Sequence, residues 1–416
     1  MSANIQTTHD IDFTRLAIQG DRILEEINQV REHDPIYWSE NSQCWLVTGH
    51  NEVMEGFSGE LPLSSTHLPE SLYRVMPPED LNKCIPMALK YMTQVITNQN
   101  GEKHARLRKL IVKAFSAKLV KGLKPFVQER VSQLMDTIDN EREFEFNETI
   151  ARQLPGSVIL HLLGMDQSHL SRLKCWADGV TQALTTLNPT PEWLGQLEVV
   201  VKDMVSTFSE EIEDRKQNPG TDLISYLLAA REDKDSLSND EMIGALIMVI
   251  VAGHDTTSNS MTLGARVLAN HPEIWQTWRS HPESSVDYAI ELMRYMAMST
   301  SIPRIASEDF QWRNKTIKNG QLVMLVIAGG NRDPKVFSQP NVIDLGRKNG
   351  ESLTFGPGLH HCIGHLLAKL QLSEFFTALI QRFDRIEIVE EPEFNASPIF
   401  RNVVGLQTRF YPSSGN

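Results

Sequence analysis

The feature that most constrains this chain of 416 residues is the loop at residues 355–364, which reads FGPGLHHCIG. Two glycines and a proline precede Cys362, and an amphipathic run of leucines follows from His365. Because glycine has no Cβ, a flat group can approach this backbone closely. The leucine spacing predicts a helix directly after the cysteine, and a helix N-terminus stabilises a thiolate. The loop is therefore suited to present an axial thiolate to a haem iron.

The cysteine alone leaves two other interpretations open. A buried cysteine is most often a small hydrophobic residue. Zinc is the second alternative, because His360, His361 and His365 flank Cys362, and His361 and His365 have a spacing found in zinc sites. The chain offers no partner cysteine pair for such a site, since its four cysteines are scattered. The choice depends on the rest of the sequence.

Charge and hydropathy exclude several classes of protein. The formal net charge of -13 argues against nucleic-acid binding and favours solubility. The scattered cysteines indicate a reducing compartment. The N-terminal residues 1–12 lack a hydrophobic signal core, and the longest apolar run, residues 245–253, is too short to span a bilayer. We therefore expect a cytoplasmic monomer that binds neither membrane nor nucleic acid.

The apolar periodicity predicts one mainly helical domain, residues 1–416, with a small β portion. Helices are predicted at 21–32, 104–115, 126–138, 146–163, 169–184, 191–215, 222–230, 239–269 and 286–298. Strands are predicted at 36–38, 44–48, 310–312, 315–317 and 321–326. Residues 60–100 are predicted to be irregular, and the stretch 61–91 is interpreted as a lid over a site, because long loops in compact domains are often functional.

The long helix at 239–269 contains the sequence AGHDTT at residues 252–257, which is unusual for a helix interior. Glycine costs about 1 kcal/mol there, and Asp and Thr compete with the backbone hydrogen bonds. Such a local departure often marks a functional position. A groove at Gly253 would admit a diatomic ligand, with Asp255 and Thr256 supplying protons. A simple kink stabilised by threonine hydroxyls is the alternative.

Two further sets of charged residues have the spacing expected of a buried cofactor site. Glu291 and Arg294 lie three positions apart on one predicted helix face, surrounded by apolar residues. Their burial would give a structural ion pair, and their exposure would give a weak surface pair. The second set comprises candidates for binding two carboxylates of a cofactor: His104, Arg108, Arg304 and His360. Taken singly, each of these is equally well explained as a surface charge.

In this order, the motifs resemble those of the cytochrome P450 family of haem-thiolate monooxygenases, in its soluble bacterial form. The resemblance extends from about residue 35 to 411. The cysteine-loop pattern matches at Phe355, Gly356, Gly358, His360, Cys362 and Gly364. The oxygen-activation pattern matches at Ala252, Gly253, Asp255, Thr256 and Thr257, and the Glu-x-x-Arg pattern matches at Glu291 and Arg294. The expected fold is a triangular prism with a long central helix over the haem.

The resemblance also implies a role for each of these residues. Cys362 would ligate the iron of haem b, while Asp255 and Thr256 deliver protons to bound dioxygen in a groove that Gly253 opens. The implied propionate-binding residues are His104, Arg108, Arg304 and His360. The other implied cofactor contacts are Ala252, Gly253, Phe355 and Gly364. Arg332 would complete the ion network of Glu291 and Arg294.

By position, the substrate pocket should involve residues of the long helix, of the segment after Met298 and of the C-terminal region. These are Met248, Val251, Thr300, Ser301, Ile302, Asn402 and Val403, with Arg401 beside them. Several are polar, which predicts a small oxygenated substrate that is hydroxylated or O-dealkylated. The alternative is that these polar groups satisfy the backbone, and that the substrate is a terpenoid, a fatty acid or a macrolide.

The resemblance implies an external electron supply, because the chain contains no reductase domain. Electrons would pass from NAD(P)H through a ferredoxin reductase and a ferredoxin. A basic patch for an acidic ferredoxin is predicted at Arg106, Lys109, Lys113, His361 and Lys369, with scattered solvated charge as the alternative. Two other activities remain open, a peroxide-driven peroxygenase and a non-catalytic haem-thiolate sensor. A sensor would have no need of Asp255 and Thr256.

Overall fold

The structure is a computed structural model that describes residues 11–12, 20–66, 76–139, 142–185, 190–232, 235–395 and 397–413. Residues 67–75 of the predicted lid lie outside these ranges. The chain is mainly helical with a small β portion, which confirms the predicted fold class. No helix of the described ranges is long and apolar enough to cross a membrane.

Helices account for most of the described chain. They are α1 (Arg22–His33), α2 (His50–Ser58), α3 (Pro78–Cys84), α4 (Pro86–Met92), α5 (Gly101–Ala114), α6 (Ala117–Gly122), α7 (Lys124–Asp136), α8 (Gln153–Leu163), α9 (Leu170–Thr185), α10 (Pro191–Gln217), α11 (Leu223–Ala229), α12 (Asn239–Asn270), α13 (Pro272–Ser280), α14 (Ser285–Met296), α15 (Ile327–Gly330) and α16 (His365–Arg382). A π-helical turn, Asn147–Ala151, precedes α8.

The strands form four small sheets. They are β1 (Ile36–Ser39), β2 (Cys44–Val47), β3 (Leu63–Ser64), β4 (Phe144–Glu145), β5 (Ile302–Ala306), β6 (Phe310–Trp312), β7 (Lys315–Ile317), β8 (Leu322–Leu325), β9 (Phe383–Glu390), β10 (Glu393–Asn395), β11 (Asn402–Val404) and β12 (Gln407–Pro412). The largest sheet has the order β1-β2-β8-β5-β3, with β2 and β8 parallel. The others have the orders β4-β12-β9, β6-β7 and β10-β11.

Helix α12 is the central element of the helical part. Its 32 residues span about 48 Å at the usual helical rise. Ser238 and Glu241 form a reciprocal capping box that fixes its start. The helix packs against α8, α9, α10, α14 and α16, and most of its side chains are buried. This burial supplies the stability that a helix with Gly, Asp and Thr at its centre lacks locally.

Three of the helices that the sequence interpretation missed begin with proline, whereas α2, which was also missed, begins at His50. Residues 60–100 were expected to be irregular, yet α3 and α4 lie there and begin at Pro78 and Pro86. Helix α13, which begins at Pro272, was not predicted. Proline lacks an N–H that the first helical position does not need, so it starts a helix as readily as it ends one. The C-terminal strands β9 to β12 were also missed.

Candidate active site

The cysteine loop has the tight backbone that its glycines predict. Gly356 and Gly358 have φ values of +64° and +76°, a region that favours glycine. A Cβ at Gly358 would lie 2.3 Å from the carbonyl oxygen of Phe57, so only glycine lets α2 approach the loop this closely. The backbone N–H of Cys362 donates to the carbonyl of Phe355 at 2.9 Å, which closes the loop before α16.

Cys362 is partly exposed, and only weak groups act to stabilise its thiolate. Burial raises the pKa of the Cys362 thiol, while a hydrogen bond from the Gly364 backbone N–H and the charge of Arg108 act in the opposite direction. Helix α16 begins at His365, three residues after the cysteine. A thiol with a raised pKa needs a further positive charge to be held as thiolate, and a metal ion supplies one.

Four basic side chains from three segments meet beside this loop. The rings of His104 and His360 lie 4.0 Å apart between their centroids. Burial, followed by the charges of Arg304, His104 and Arg108, lowers the pKa of His360 to about 3. Burial lowers the pKa of His104 as well, again with Arg108 and Arg304 acting beside it. His360 Nε2 is also within 3.0 Å of the Ser65 hydroxyl, a neighbour that sequence reasoning missed.

This basic cluster fits an anionic cofactor. Arg304 is 5% exposed, and burial lowers its pKa to about 10. Its guanidinium lies over the ring of Phe57 and donates to the Pro303 carbonyl, and it forms no ion pair with any residue that the structure describes. His104 Nε2 is buried without a hydrogen-bond partner in those same ranges. Buried cations are stable only when paired, so the donor set matches the two carboxylates of a haem.

One face of α12 is open although the helix runs through the core. Met248, Val249, Ala252, Gly253 and Thr256 are exposed or partly exposed, while their neighbours on the other faces are buried. The spacing of 248, 252 and 256 places three of them in one row along the helix. Met248 and Ala252 border this open face for most of its length, so the face is largely apolar. It ends at the hydroxyl of Thr256.

The two residues predicted to deliver protons have different surroundings. The Thr256 hydroxyl donates to the Ala252 carbonyl at 2.5 Å, on the open face. Asp255 is 6% exposed, on the side toward α8 and α9. Burial alone would raise the pKa of the Asp255 carboxyl, but the hydrogen bond and charge of His254, with Thr181 and Arg152, outweigh burial and lower that pKa. The carboxylate is therefore held as an anion one residue away from the open face.

Gly253 has a packing role that differs from the predicted one. A Cβ at this position would lie 3.1 Å from Cδ1 of Ile159 on α8, so the missing side chain faces α8. The glycine lets α8 and α12 approach closely. Gly253 is also partly exposed on the open face, beside Ala252, so its predicted role in opening a groove for a ligand stays a prediction.

Glu291 and Arg294 form a fully buried pair, with side-chain exposures of 1% and 0%. Arg294 donates to both carboxylate oxygens of Glu291 at 2.8 Å. The expectation that Arg332 completes this network is wrong. Arg332 instead donates to the Tyr295 carbonyl and the Asn341 side chain, and Arg347 donates to Glu291 at 3.1 Å.

The predicted substrate pocket was too broad. Thr300 and Ser301 have no exposed surface, Val251 and Val403 are 5% and 2% exposed, and the Ser301 hydroxyl donates to the Pro398 carbonyl. Arg401 is paired with Asp21, and Asn402 accepts a hydrogen bond from Asn259. Ser301, Arg401 and Asn402 are thus bonded to other parts of the chain, whereas the buried Thr300 hydroxyl has no hydrogen-bond partner among the described residues. Of the predicted set, Met248, Ile302 and Asn402 keep partly exposed side chains.

The exposed Thr97 was not predicted to belong to the site. Its hydroxyl lies 3.6 Å from the sulfur of Met248 on the open face of α12. Thr97 belongs to the turn Ile96–Asn98, which precedes α5. The sequence around Thr97 contains no motif, so only the tertiary contact with Met248 identifies it.

The predicted basic patch is largely neutralised by acids. Arg106 donates to Asp235 at 2.6 Å and to Glu241 at 2.7 Å. Lys109 and Lys113 both pair with Glu232. These acids lie between α11 and the first turn of α12, so the basic face of α5 binds another part of the same chain. His361 and Lys369 remain beside the cysteine loop, where Lys369 lies over the ring of Phe355.

Comparison with known proteins agrees with this geometry. The family model described as cytochrome P450 matches residues 82–280 and 289–408. The biotin biosynthesis cytochrome P450 of Bacillus subtilis is 30% identical over 356 residues, covering 86% of this chain and 87% of that protein. The solved structure of P450BioI in complex with an acyl carrier protein has a TM-score of 0.83 at 28% identity, covering 93% of this chain and 98% of that one. Cytochrome P450 CYP109Q5 from Chondromyces apiculatus has a TM-score of 0.85 at 25% identity, covering 98% and 99%.

The chain belongs to the cytochrome P450 family. It is a monooxygenase, an oxidoreductase with a haem-thiolate cofactor. The zinc interpretation of the cysteine loop is therefore set aside, and no cluster of three or more metal-ligating side chains occurs in the described ranges.

Proposed function

We propose that this protein uses haem b and dioxygen to insert one oxygen atom into an apolar organic substrate, most simply as a hydroxylation. The observation that carries the proposal is the pairing of two features. One is a cluster of four basic groups beside Cys362 that lacks an anion in the described chain. The other is an open α12 face that ends at Thr256 beside the Asp255 carboxylate.

The roles of the residues follow from their chemistry. Cys362 ligates the iron, and His104, Arg108, Arg304 and His360 bind the two propionates. The haem, when bound, supplies the activation of dioxygen. Asp255 accepts a proton on its buried side and releases it toward Thr256, whose hydroxyl holds the proton path at the open face. Phe355 packs beside the sulfur, and the backbone N–H of Gly364 donates a hydrogen bond to it. Both contacts tune the basicity of the sulfur.

An apolar substrate is favoured over an oxygenated one, because three of the polar residues first expected in the pocket, Ser301, Arg401 and Asn402, are bonded within the protein. The open face instead presents Met248, Val249 and Ala252, with Ile302 partly exposed as well. Apolar lining with few polar groups favours a ligand of the same character. The Thr97 and Thr256 hydroxyls are the polar groups on this face, and they would orient one end of the substrate.

Electrons reach the protein from NAD(P)H through a ferredoxin reductase and a ferredoxin, and we propose a cytoplasmic monomer of one domain, residues 1–416. The neutralised patch on α5 argues against a strongly charged docking face. We therefore expect the rate of reduction by ferredoxin to fall less than tenfold between about 0.05 and 0.2 M salt, where a charge-steered contact falls steeply.

The test is spectroscopic first and catalytic second. The reduced, CO-bound protein should show the red-shifted Soret band of a thiolate-ligated haem, and Cys362→Ser should abolish it. A panel of fatty acids, terpenoids, macrolides and methoxylated aromatics is then titrated, with the haem spin-state shift as readout. Binding of the apolar classes supports the proposal, and binding of the methoxylated compounds alone contradicts it.

A second candidate for the substrate is an acyl chain held on a carrier protein. It is favoured by one observation, the 0.83 TM-score to a P450 solved in complex with an acyl-loaded carrier protein. Free and carrier-tethered forms of one fatty acid separate the two cases, since only the tethered form would shift the spin state. Turnover with NADH and ferredoxin, compared with peroxide alone, distinguishes the monooxygenase from a peroxygenase and from a sensor.

A further inference from the structure

His254, which precedes Asp255 on α12, is completely buried, and both of its ring nitrogens face hydrogen-bond acceptors. Nδ1 lies 2.9 Å from Oδ1 of Asp255, and Nε2 lies 3.2 Å from the carbonyl oxygen of Arg152. A neutral imidazole carries one N–H, and neither a carbonyl nor a carboxylate can donate. With Asp255 ionised, both contacts are hydrogen bonds only if the ring is an imidazolium with two N–H groups, whereas a protonated Asp255 would itself donate to Nδ1. The lowered pKa of the Asp255 carboxyl favours the first arrangement.

The surrounding residues leave room for the ring and hold it in place. A Cβ at Gly156 on α8 would lie 3.4 Å from Cδ2 of His254, so this glycine allows the ring to pack against α8. The Arg152 carbonyl lies just before α8, whereas Asp255 lies on α12. The two ring nitrogens of His254 therefore contact different elements. A side chain that is held at both ends by separate elements has one rotamer and one orientation.

The charges around His254 and Asp255 balance. Arg152 lies 3.9 Å from Oδ1 of Asp255 and is itself paired with Glu148 and with Asp178 on α9. Lys174, also on α9, is paired with Glu148. The imidazolium therefore neutralises the carboxylate directly, while the two surrounding cations and two surrounding acids contribute no net charge. A buried ion pair of this kind is retained only when its hydrogen bonds are satisfied, as they are here.

We propose that His254 is an imidazolium that positions Asp255 and restores its proton during turnover. This inference rests on the role proposed above for Asp255. In the step, the Nδ1–H bond breaks and an O–H bond forms at Oδ1 of Asp255, so that a neutral imidazole and a carboxylic acid result and no electron moves. The remaining ring proton stays on Nε2, donated to the Arg152 carbonyl. Asp255 then releases its proton toward the open face, and solvent supplies the replacement.

The first test measures the ring itself and does not depend on activity. Protein labelled with ¹⁵N-histidine is examined by NMR as the reduced, CO-bound holoenzyme, and the His254 signals are assigned by their loss in His254→Gln. At pH 7 both ring nitrogens should carry a directly bound proton. In Asp255→Asn, which removes the neutralising charge, the ring should become neutral. A neutral His254 in the wild-type protein overturns the inference.

The second test separates positioning from proton supply. The variant His254→Gln retains an amide N–H donor at this position but has no proton to release. With the CO-bound spectrum unchanged, His254→Gln should lower kcat about tenfold at constant KM, raise the solvent deuterium isotope effect and divert electrons to peroxide. Wild-type kcat and coupling in His254→Gln would overturn the supply role. Should the wild-type enzyme fail to oxidise any substrate, the proposed function fails while the NMR result still decides the ring's protonation.

Discussion

Two of the carboxylates that are buried in the described part of the chain, Glu291 and Asp255, have different surroundings. Glu291 on α14 accepts two hydrogen bonds from Arg294, one from Arg347 and one from the backbone N–H of Asp344. Asp255 on α12 accepts hydrogen bonds from His254, at 2.9 Å, and from the Thr181 side chain, and the nearest guanidinium is 3.9 Å away. The Glu291 carboxylate is saturated with fixed donors, whereas the Asp255 carboxylate is not.

The difference separates a structural carboxylate from one that can exchange a proton. A carboxylate bound by two guanidiniums is stabilised in one state, because protonation would break several charged hydrogen bonds at once. A carboxylate whose only charged donor is an imidazole loses less hydrogen-bond energy on protonation, because the proton moves between those two groups. Position in the fold adds to this contrast, since Asp255 adjoins the open face of α12 and Glu291 does not.

The largest effect is expected at Glu291. Replacing it by glutamine leaves Arg294 buried without a counter-ion, which typically costs about 3–5 kcal/mol of unfolding free energy. Urea denaturation of the holoenzyme measures this cost, and haem retention should fall in parallel. A destabilisation below about 1 kcal/mol would show that the pair is not the fold's anchor. Asp287→Asn on the first turn of the same helix, where the residue is exposed, serves as the control.

The next largest effect is expected at Asp255, and it should appear in activity instead of stability. Asp255→Asn keeps the shape but cannot release a carboxylic-acid proton, so product formation should fall on the order of 10²-fold. The CO-bound spectrum should remain that of the wild type. Coupled assays that quantify product, NADH and peroxide measure the loss. A variant that retains wild-type product formation would place the proton path elsewhere.

A smaller effect is expected when one of Glu291's two guanidiniums is removed. Arg347→Gln leaves the two bonds from Arg294 intact and deletes the charged hydrogen bond to Glu291, which alone costs about 1.5–3 kcal/mol. The contacts of Arg347 with nearby backbone carbonyls are lost as well. Thermal and urea unfolding of this variant and of Glu291→Gln, measured side by side, give the order of the two effects. If Arg347→Gln were as damaging as Glu291→Gln, the bidentate pair would not be the dominant contact.

The parts of the site that were predictable from sequence share one property, which is that their residues lie within one element. Glu291 and Arg294 are three positions apart, and the AGHDTT segment and the cysteine loop are continuous. Arg347, Arg152 and Ser65 reach the site from distant segments, and no local pattern marks them. The same limit explains the wrong prediction for Arg332. Its sequence position suggested a contact with Glu291, but in the folded protein Arg347 makes that contact.

Surface charge was misinterpreted for a related reason. The basic face of α5 suggested a docking patch, because the sequence displays Arg106, Lys109 and Lys113 together. Their partners, Glu232 and Asp235, follow more than a hundred residues later, and only the fold brings them together. Fold class needs no such pairing, since apolar periodicity alone identified most helices. Helices that begin at proline could not be predicted from periodicity alone, because proline both begins and ends helices.

The smallest effect is expected in the acid dependence of stability, and it tests the state of Asp255. Its pKa is lowered in the folded protein, so the unfolded state binds more protons in the acid range. Stability from this group is therefore present above the unfolded pKa of about 3.9 and is lost as pH falls through the lower folded value. Unfolding free energies of the wild type and Asp255→Asn, measured from about pH 6 to pH 2, should converge as pH falls below about 4. Parallel curves would mean that the carboxyl is not held as an anion by His254 and Arg152.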